Sequence, residues 1–137
     1  MADARGVIDT SVAIELERIE PDSLPDELAI AAISLAELTA GPHATSDSAE
    51  RARRQDRVQR IEATFESLPF DIDAARAYGR LYAAEVLRGR KARGARAVDL
   101  LIAATAAAAG LPLYTCNPQD FAGLGKVVRI VSVRRSP

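Results

Sequence analysis

The stretch VDLLIAATAAAAGLPLYT, residues 98–115, joins a helix and a strand with almost no polar residue in either. Val98 to Ala109 is built from Ala, Leu and Ile, and Gly110 followed by Pro112 supplies a helix stop. Leu113-Tyr114-Thr115 then reads as a short strand. A very apolar helix leading straight into an apolar strand belongs to a parallel sheet covered on both faces. Downstream, Asn117-Pro118 has the form of an N-cap with Pro at the first helical position, and Val127 to Val133 reads as a last strand.

The same alternation continues upstream. Gly6-Val7-Ile8-Asp9 is an apolar run ending in an acid, and Val12 to Arg18 is helix-like. Pro21 to Asp26 forms a loop, and Leu28 to Ile33 is a second buried strand. Ser34 followed three residues later by Glu37 matches a capping box, opening a short helix that stops at Gly41-Pro42. His43 to Ser48 is a polar break. Val58, Ile61 and Phe65 stripe a charged helix over Ala49–Glu66. Leu68 to Phe70 reads as a third strand. Asp71 or Asp73 caps a helix whose buried side carries Ala74, Ala77, Tyr78, Leu81 and Ala84. With right-handed crossovers, these elements predict one three-layer α/β/α domain over residues 1–137, with four or five mostly parallel strands.

Composition narrows the chemistry. The 137 residues are 48% hydrophobic and 27% charged, with 18 bases against 19 acids, which excludes disorder throughout. One cysteine, Cys116, excludes an internal disulfide and a Cys-rich zinc site, and one histidine, His43, excludes a multi-His metal site. The start of the chain lacks the apolar core of a secretory signal. The longest apolar run, Leu100 to Ala109, is far short of the roughly 20 residues that span a membrane. These features predict a soluble cytoplasmic protein with no membrane partner. The near-neutral total hides a gradient: residues 1–50 carry eleven acids against Arg5 and Arg18, and the rest of the chain is basic.

Four acids fall at equivalent places. Asp9 ends the first strand, Glu37 lies one turn into the helix after the second, Asp99 opens the helix before the fourth, and Asp120 follows that strand. In a parallel sheet, strand C-termini and helix N-termini share one edge, the edge where open α/β sheets bind ligands. Each acid alone has a structural explanation, since carboxylates near helix N-termini cap them and favour the dipole. Asp99 fits that explanation least. It sits between Val98 and Leu100 on the most apolar helix, with no Lys or Arg within the following turn. Taken together, several carboxylates without His or Cys form a hard oxygen-donor set suited to Mg²⁺ or Mn²⁺. Such an ion polarises phosphoryl oxygens and activates water, which is phosphodiesterase chemistry.

The ordered set Val7–Ser11, Ile33–Leu38, Asp99–Ala106 and Thr115–Phe121 resembles the PIN-domain ribonucleases, specifically VapC-type toxins of bacterial toxin–antitoxin pairs. No single motif is specific, but the resemblance covers essentially the whole chain. It implies a Mg²⁺-dependent endoribonuclease in which a metal-activated water cleaves RNA, and its metal-binding, catalytic acids match Asp9, Glu37, Asp99 and Asp120. Members of that family differ in how they use the fourth acid. Thr10, Ser11, Thr115 and Asn117 match supporting polar positions. Cys116 stands where the family commonly has Arg, a departure that bears on RNA contacts rather than on metal binding. The resemblance also implies a homodimer and a groove for a VapB-like antitoxin, whose Arg would pair with the acidic edge.

Arg88, Arg90, Lys91, Arg93 and Arg96 form a basic run directly before Asp99, a candidate RNA-binding loop, with a solubilising loop as its plainer explanation. The arginines of the 49–66 helix alternate with acids and read as a salt-bridged face. The helix after Asp71 presents Tyr78, Leu81, Tyr82, Ala83, Val86 and Leu87, more apolar surface than one core-facing stripe needs, and so a candidate dimer face. Two other readings stay open. A phosphatase or receiver domain needs a second Asp at the first strand, where Asp9 is followed by Thr10 and Ser11. A PIN-like module that only binds RNA or protein has no need of all four acids.

Overall fold

The computed structural model describes residues 3–136, so Met1 and Ala2 of the start read as lacking a signal lie outside the described residues. Five strands form one wholly parallel sheet: β1 (Arg5–Ile8), β2 (Glu27–Ala31), β3 (Glu66–Leu68), β4 (Leu113–Thr115) and β5 (Ile130–Ser132), in the order β3-β2-β1-β4-β5. Five helices connect them: α1 (Thr10–Ile14), α2 (Ala32–Ala40), α3 (Ser48–Thr64), α4 (Ile72–Leu87) and α5 (Ala95–Ala109).

Side-chain alternation along the strands divides the core. Val7, Ala29 and Leu113 stand in one row across the sheet and face α4 and α5, packing on Ala77, Leu81, Leu100 and Ala103. Ile8, Ile30 and Tyr114, one residue on, face the other way onto Val12, Leu38, Val58 and Ile61. Gly110 closes α5 in the left-handed conformation, φ 69°, and the Leu111 N–H reaches back to the Ala106 carbonyl at 3.1 Å.

Several elements differ from the sequence reading. The first helix breaks early: α1 stops at Ile14 and a 3₁₀ turn covers Leu16–Arg18. The third strand lies at Glu66–Leu68 rather than Leu68–Phe70, because Pro69 has no N–H to give the ladder. The last strand is three residues long, since its partner β4 is only three long and pairs Leu113 to Thr115 with Ile130 to Ser132. α2 starts at Ala32 directly from β2, so Ala31 takes the N-cap position without a side-chain hydrogen bond. Ser34 is thus not a cap. It lies inside the helix, fully buried, and its Oγ has no hydrogen-bond partner among the described residues. α5 starts at Ala95, so Asp99 stands one turn inside it rather than opening it.

The charge gradient does not survive as two charged halves. Ion pairs cross between them, Arg60 with Glu17 at 3.3 Å, Arg135 with Glu15 at 3.5 Å, and Arg129 with Asp3.

Candidate active site

β1 lies at the centre of the sheet. From it the chain moves outward through β2 and β3, then returns to the other side of β1 with β4 and β5. The strand order therefore switches between β1 and β4, where the connections leave a crevice at the strand C-termini. Asp9 follows β1 at that point, Thr115 ends β4, and Cys116 and Asn117 follow it.

Asp9 is 5% exposed and held from two directions. The Val12 N–H donates to its Oδ1 at 3.0 Å as an N-cap contact, and the Ser11 hydroxyl donates to the same oxygen at 2.6 Å. Ser11 Oγ in turn accepts the Cys116 N–H at 3.2 Å, tying the exit of β4 to the exit of β1. Both bonds to Asp9 fall on Oδ1. The capping explanation is correct for Asp9, and it leaves Oδ2 without either bond.

That explanation fails for the other three. Glu37 caps nothing, since Ser34 does not start the helix. Instead its Oε1 accepts the Thr10 hydroxyl at 2.6 Å, across from α2 to α1. Asp99 lies in the second turn of α5. Asp120 sits in a 3₁₀ turn, Pro118–Phe121, whose N-cap residue Asn117 makes no side-chain cap. The four carboxylates are close enough that three of them act on the fourth. Burial and then the neighbouring Asp120 push Asp99 up to about 6, Arg96 pulls it down, and Asp9 and Glu37 add to the rise. Like charges gathered in a half-buried place raise one another in this way.

As a donor set, carboxylates without His or Cys fit Mg²⁺ or Mn²⁺. The side chains face a common region without closing on a single point. Among the described residues, no three His, Cys, Asp or Glu side chains stand as a ready ligand cluster.

The remaining polar candidates divide. Thr10 and Ser11 contact the acids directly. Thr115 is fully buried and its Oγ1 accepts the Asn117 N–H at 3.0 Å, so it shapes the turn after β4. Burial pushes the Cys116 thiol up, and the residue packs as a filler.

The basic loop is less uniform than its sequence. Lys91 and Arg93 are exposed and have no ion pair among the described residues, and neither has Arg88. Arg90 and Arg96 turn inward onto Glu85, which the sequence reading passed over. Glu85 is 1% exposed, with Arg90 Nη1 at 3.9 Å and Arg96 Nε at 3.7 Å. Its signal was the spacing Ala74, Ala77, Leu81, Glu85, which puts the acid on the buried face of α4.

Two hollows lie on the α1 side. One of about 400 Å³ runs past Thr10, Glu37, Leu38, Glu50 and Arg54. The other, of about 470 Å³, is an apolar groove between α1 and α3, lined by Leu16, Ile19, Leu24, Ile61 and Phe65. Ile14 and Arg57 border both.

A parallel sheet with carboxylates gathered at its switch point defines an open α/β domain with an acidic candidate site where such sheets bind ligands. The family profile of the PIN domain matches residues 6–127, and the chain belongs to that family. Its relatives there are VapC ribonucleases. It is 37% identical over 134 residues to ribonuclease VapC5 of Mycobacterium tuberculosis, covering 96% of each chain. It is 33% identical over 119 residues to a ribonuclease VapC of Rickettsia bellii, covering 84% of this chain and 87% of the relative. In structure it is similar to VapBC-5 of M. tuberculosis, a member of the VapBC family of toxin–antitoxin systems. The TM-score is 0.83 and the identity 39%, over 95% of this chain and 99% of that one.

Proposed function

We propose that the chain is a Mg²⁺-dependent endoribonuclease, with Mn²⁺ as an alternative ion, acting as the toxin of a VapBC-type pair. The observation that carries this reading is Asp99. A carboxylate raised to about 6 by burial and three neighbouring acids is an electrostatic cost that a divalent cation would relieve. Asp9, Glu37 and Asp99 would hold the ion, with Asp120 as the fourth acid. Bound there, the ion would supply Lewis acidity toward a phosphoryl oxygen and a lowered pKa for water. The protein's own part is orientation. Ser11 and the Val12 N–H fix Asp9 by Oδ1 and leave Oδ2 to the ligand. Thr10 fixes Glu37. Lys91 and Arg93, exposed beyond the edge, supply charge for the RNA backbone.

The relatives' pairing with an antitoxin supports a VapB-like partner here. The apolar groove between α1 and α3 suits a helical segment of such a partner, and the adjoining hollow leads on to Glu37. An Arg on that segment reaching the acids would pair with them and block the site. Ile72, Tyr82, Val86 and Leu87 stand exposed along α4 and favour a homodimer through that helix.

The deciding experiment incubates purified protein with mixed RNA in Mg²⁺, in Mn²⁺ and in EDTA, beside Asp9→Asn, Glu37→Gln and Asp99→Asn. Cleavage that needs the ion and is lost in all three variants supports the reading. Cleavage that persists in EDTA, or in all three folded variants, refutes it.

A further inference from the structure

Glu85 is a carboxylate with almost no solvent, and neither oxygen has a hydrogen-bond partner among the described residues. A buried carboxylate in that condition is held by opposite charge or not at all. Arg90 and Arg96 supply it from the two ends of the basic loop, and their side chains keep 30% and 25% exposure. Both side chains are thus only partly buried, and Arg90 Nη1, which faces Glu85, is itself buried without a hydrogen-bond partner among the described residues.

Arg96 does more than pair. It stands one turn before Asp99 on α5, and its Nη1 donates to the Asp120 carbonyl oxygen. One guanidinium thus links α4, α5 and the turn carrying the fourth acid. Arg90 is fixed at the backbone too, its N–H bonding the Glu85 carbonyl at 2.9 Å. Arg88 lies flat over Gly123, where an added Cβ would come within 2.2 Å of Arg88 Cδ. The loop is thus docked at Arg88, Arg90 and Arg96. Only Lys91 and Arg93 extend freely.

Two guanidiniums around one carboxylate leave one net positive charge beside Asp99 and Asp120. An apolar side chain would fill the same space more cheaply if filling were the only task, because buried ion pairs repay their desolvation poorly. We infer that Glu85 is a positioning residue: it holds Arg90 and Arg96 at the rim of the acidic edge, so that the N–H groups not engaged by Glu85 or Asp120 receive an RNA phosphate. This rests on the nuclease reading above. A guanidinium anchored on a carboxylate keeps donors free for a second oxyanion, and anchoring lowers the entropy lost when that oxyanion binds.

The test measures binding of a labelled single-stranded RNA in EDTA over a range of salt, then steady-state cleavage with Mg²⁺. Glu85→Gln should weaken binding about tenfold. It should also make the log–log salt slope shallower by about 1 to 1.5, two phosphate contacts at about 0.7 each. KM should rise about tenfold while kcat changes less than about threefold. Glu85→Asp, which keeps the charge, should fall between Glu85→Gln and the wild type, and it carries the test if Glu85→Gln does not fold. In an Arg90→Gln/Arg96→Gln background, Glu85→Gln should add nothing. A merely structural Glu85 would lower the melting temperature and leave the slope of the folded protein unchanged, and that result overturns the inference while wild-type cleavage stands. A wild type that neither binds nor cleaves RNA overturns the nuclease reading and this assignment with it.

Discussion

Replacing Asp99 by Asn should stabilise the fold while destroying activity. A carboxyl moved from 3.8 to about 6 is disfavoured in its charged form by about 3 kcal/mol. The side chain is only half-buried, and solvent on its open side reduces that to about 1–2 kcal/mol. The sign follows from proton binding. Between about pH 4 and 6 the native protein holds a proton that the unfolded chain has released, so stability falls as pH rises through that window. Below about pH 4 the carboxyl is neutral in both states and the cost is absent. Above about pH 6.5 the cost is complete. Asp99→Asn cannot ionise, so its advantage over the wild type should grow from near zero at about pH 4 to about 1–2 kcal/mol at about pH 7.5. Urea unfolding in EDTA across that range measures the difference directly. The same experiment with Mg²⁺ should stabilise the wild type, by about 2.7 kcal/mol at a hundred times its dissociation constant, and leave the variant nearly unmoved. A variant less stable than the wild type at neutral pH, or an advantage that does not change with pH, would refute the reasoning.

Ser34→Ala removes a buried hydroxyl without a partner, so stability should stay level or rise by up to about 1 kcal/mol, about 3 °C in a thermal melt; a loss of about 1 kcal/mol would restore the serine as a cap. Thr10→Val keeps the shape and deletes the 2.6 Å bond to Glu37, so kcat should fall by about five- to tenfold with stability within about 0.5 kcal/mol, as read by RNA cleavage and melting. Val86→Glu with Leu87→Glu places charge on residues 57% and 89% exposed, so light scattering should show a dimer become a monomer with no loss of melting temperature; a wild type at monomer mass would remove the dimer.

The parallel sheet was legible because its strands are short apolar runs, and period and length alone identify them. β1 and β4 lie within a residue of their expected places. Errors gathered where length is set by a neighbour. The reach of β5 depends on β4, and the run Val127 to Val133 does not carry that information. Caps misled for a related reason. Ser34-Leu35-Ala36-Glu37 has the right residues at the right spacing, yet β2 turns into α2 with no intervening loop. The cap position is then decided by where the strand ends, which is a tertiary matter.

The acids were legible for the opposite reason: topology alone carries them to one edge, whatever the details of each helix start. None of Glu37, Asp99 and Asp120 caps a helix with its side chain, so capping does not by itself account for their sharing one edge. Glu85 was missed because a lone Glu in a charged, Arg-rich chain reads as surface until the helical stripe is drawn through it. Once buried, it changes the meaning of the loop it faces. Five cations in nine residues look like a solvated run in sequence. In the fold Arg88, Arg90 and Arg96 lie docked, and two of those charges are committed to Glu85. Lys91 and Arg93 stand exposed without an ion pair among the described residues. Charge reversal at Arg90 therefore perturbs a buried carboxylate, whereas reversal at Arg93 perturbs only the surface. Comparing the two separates a charge held on Glu85 from one free on the surface.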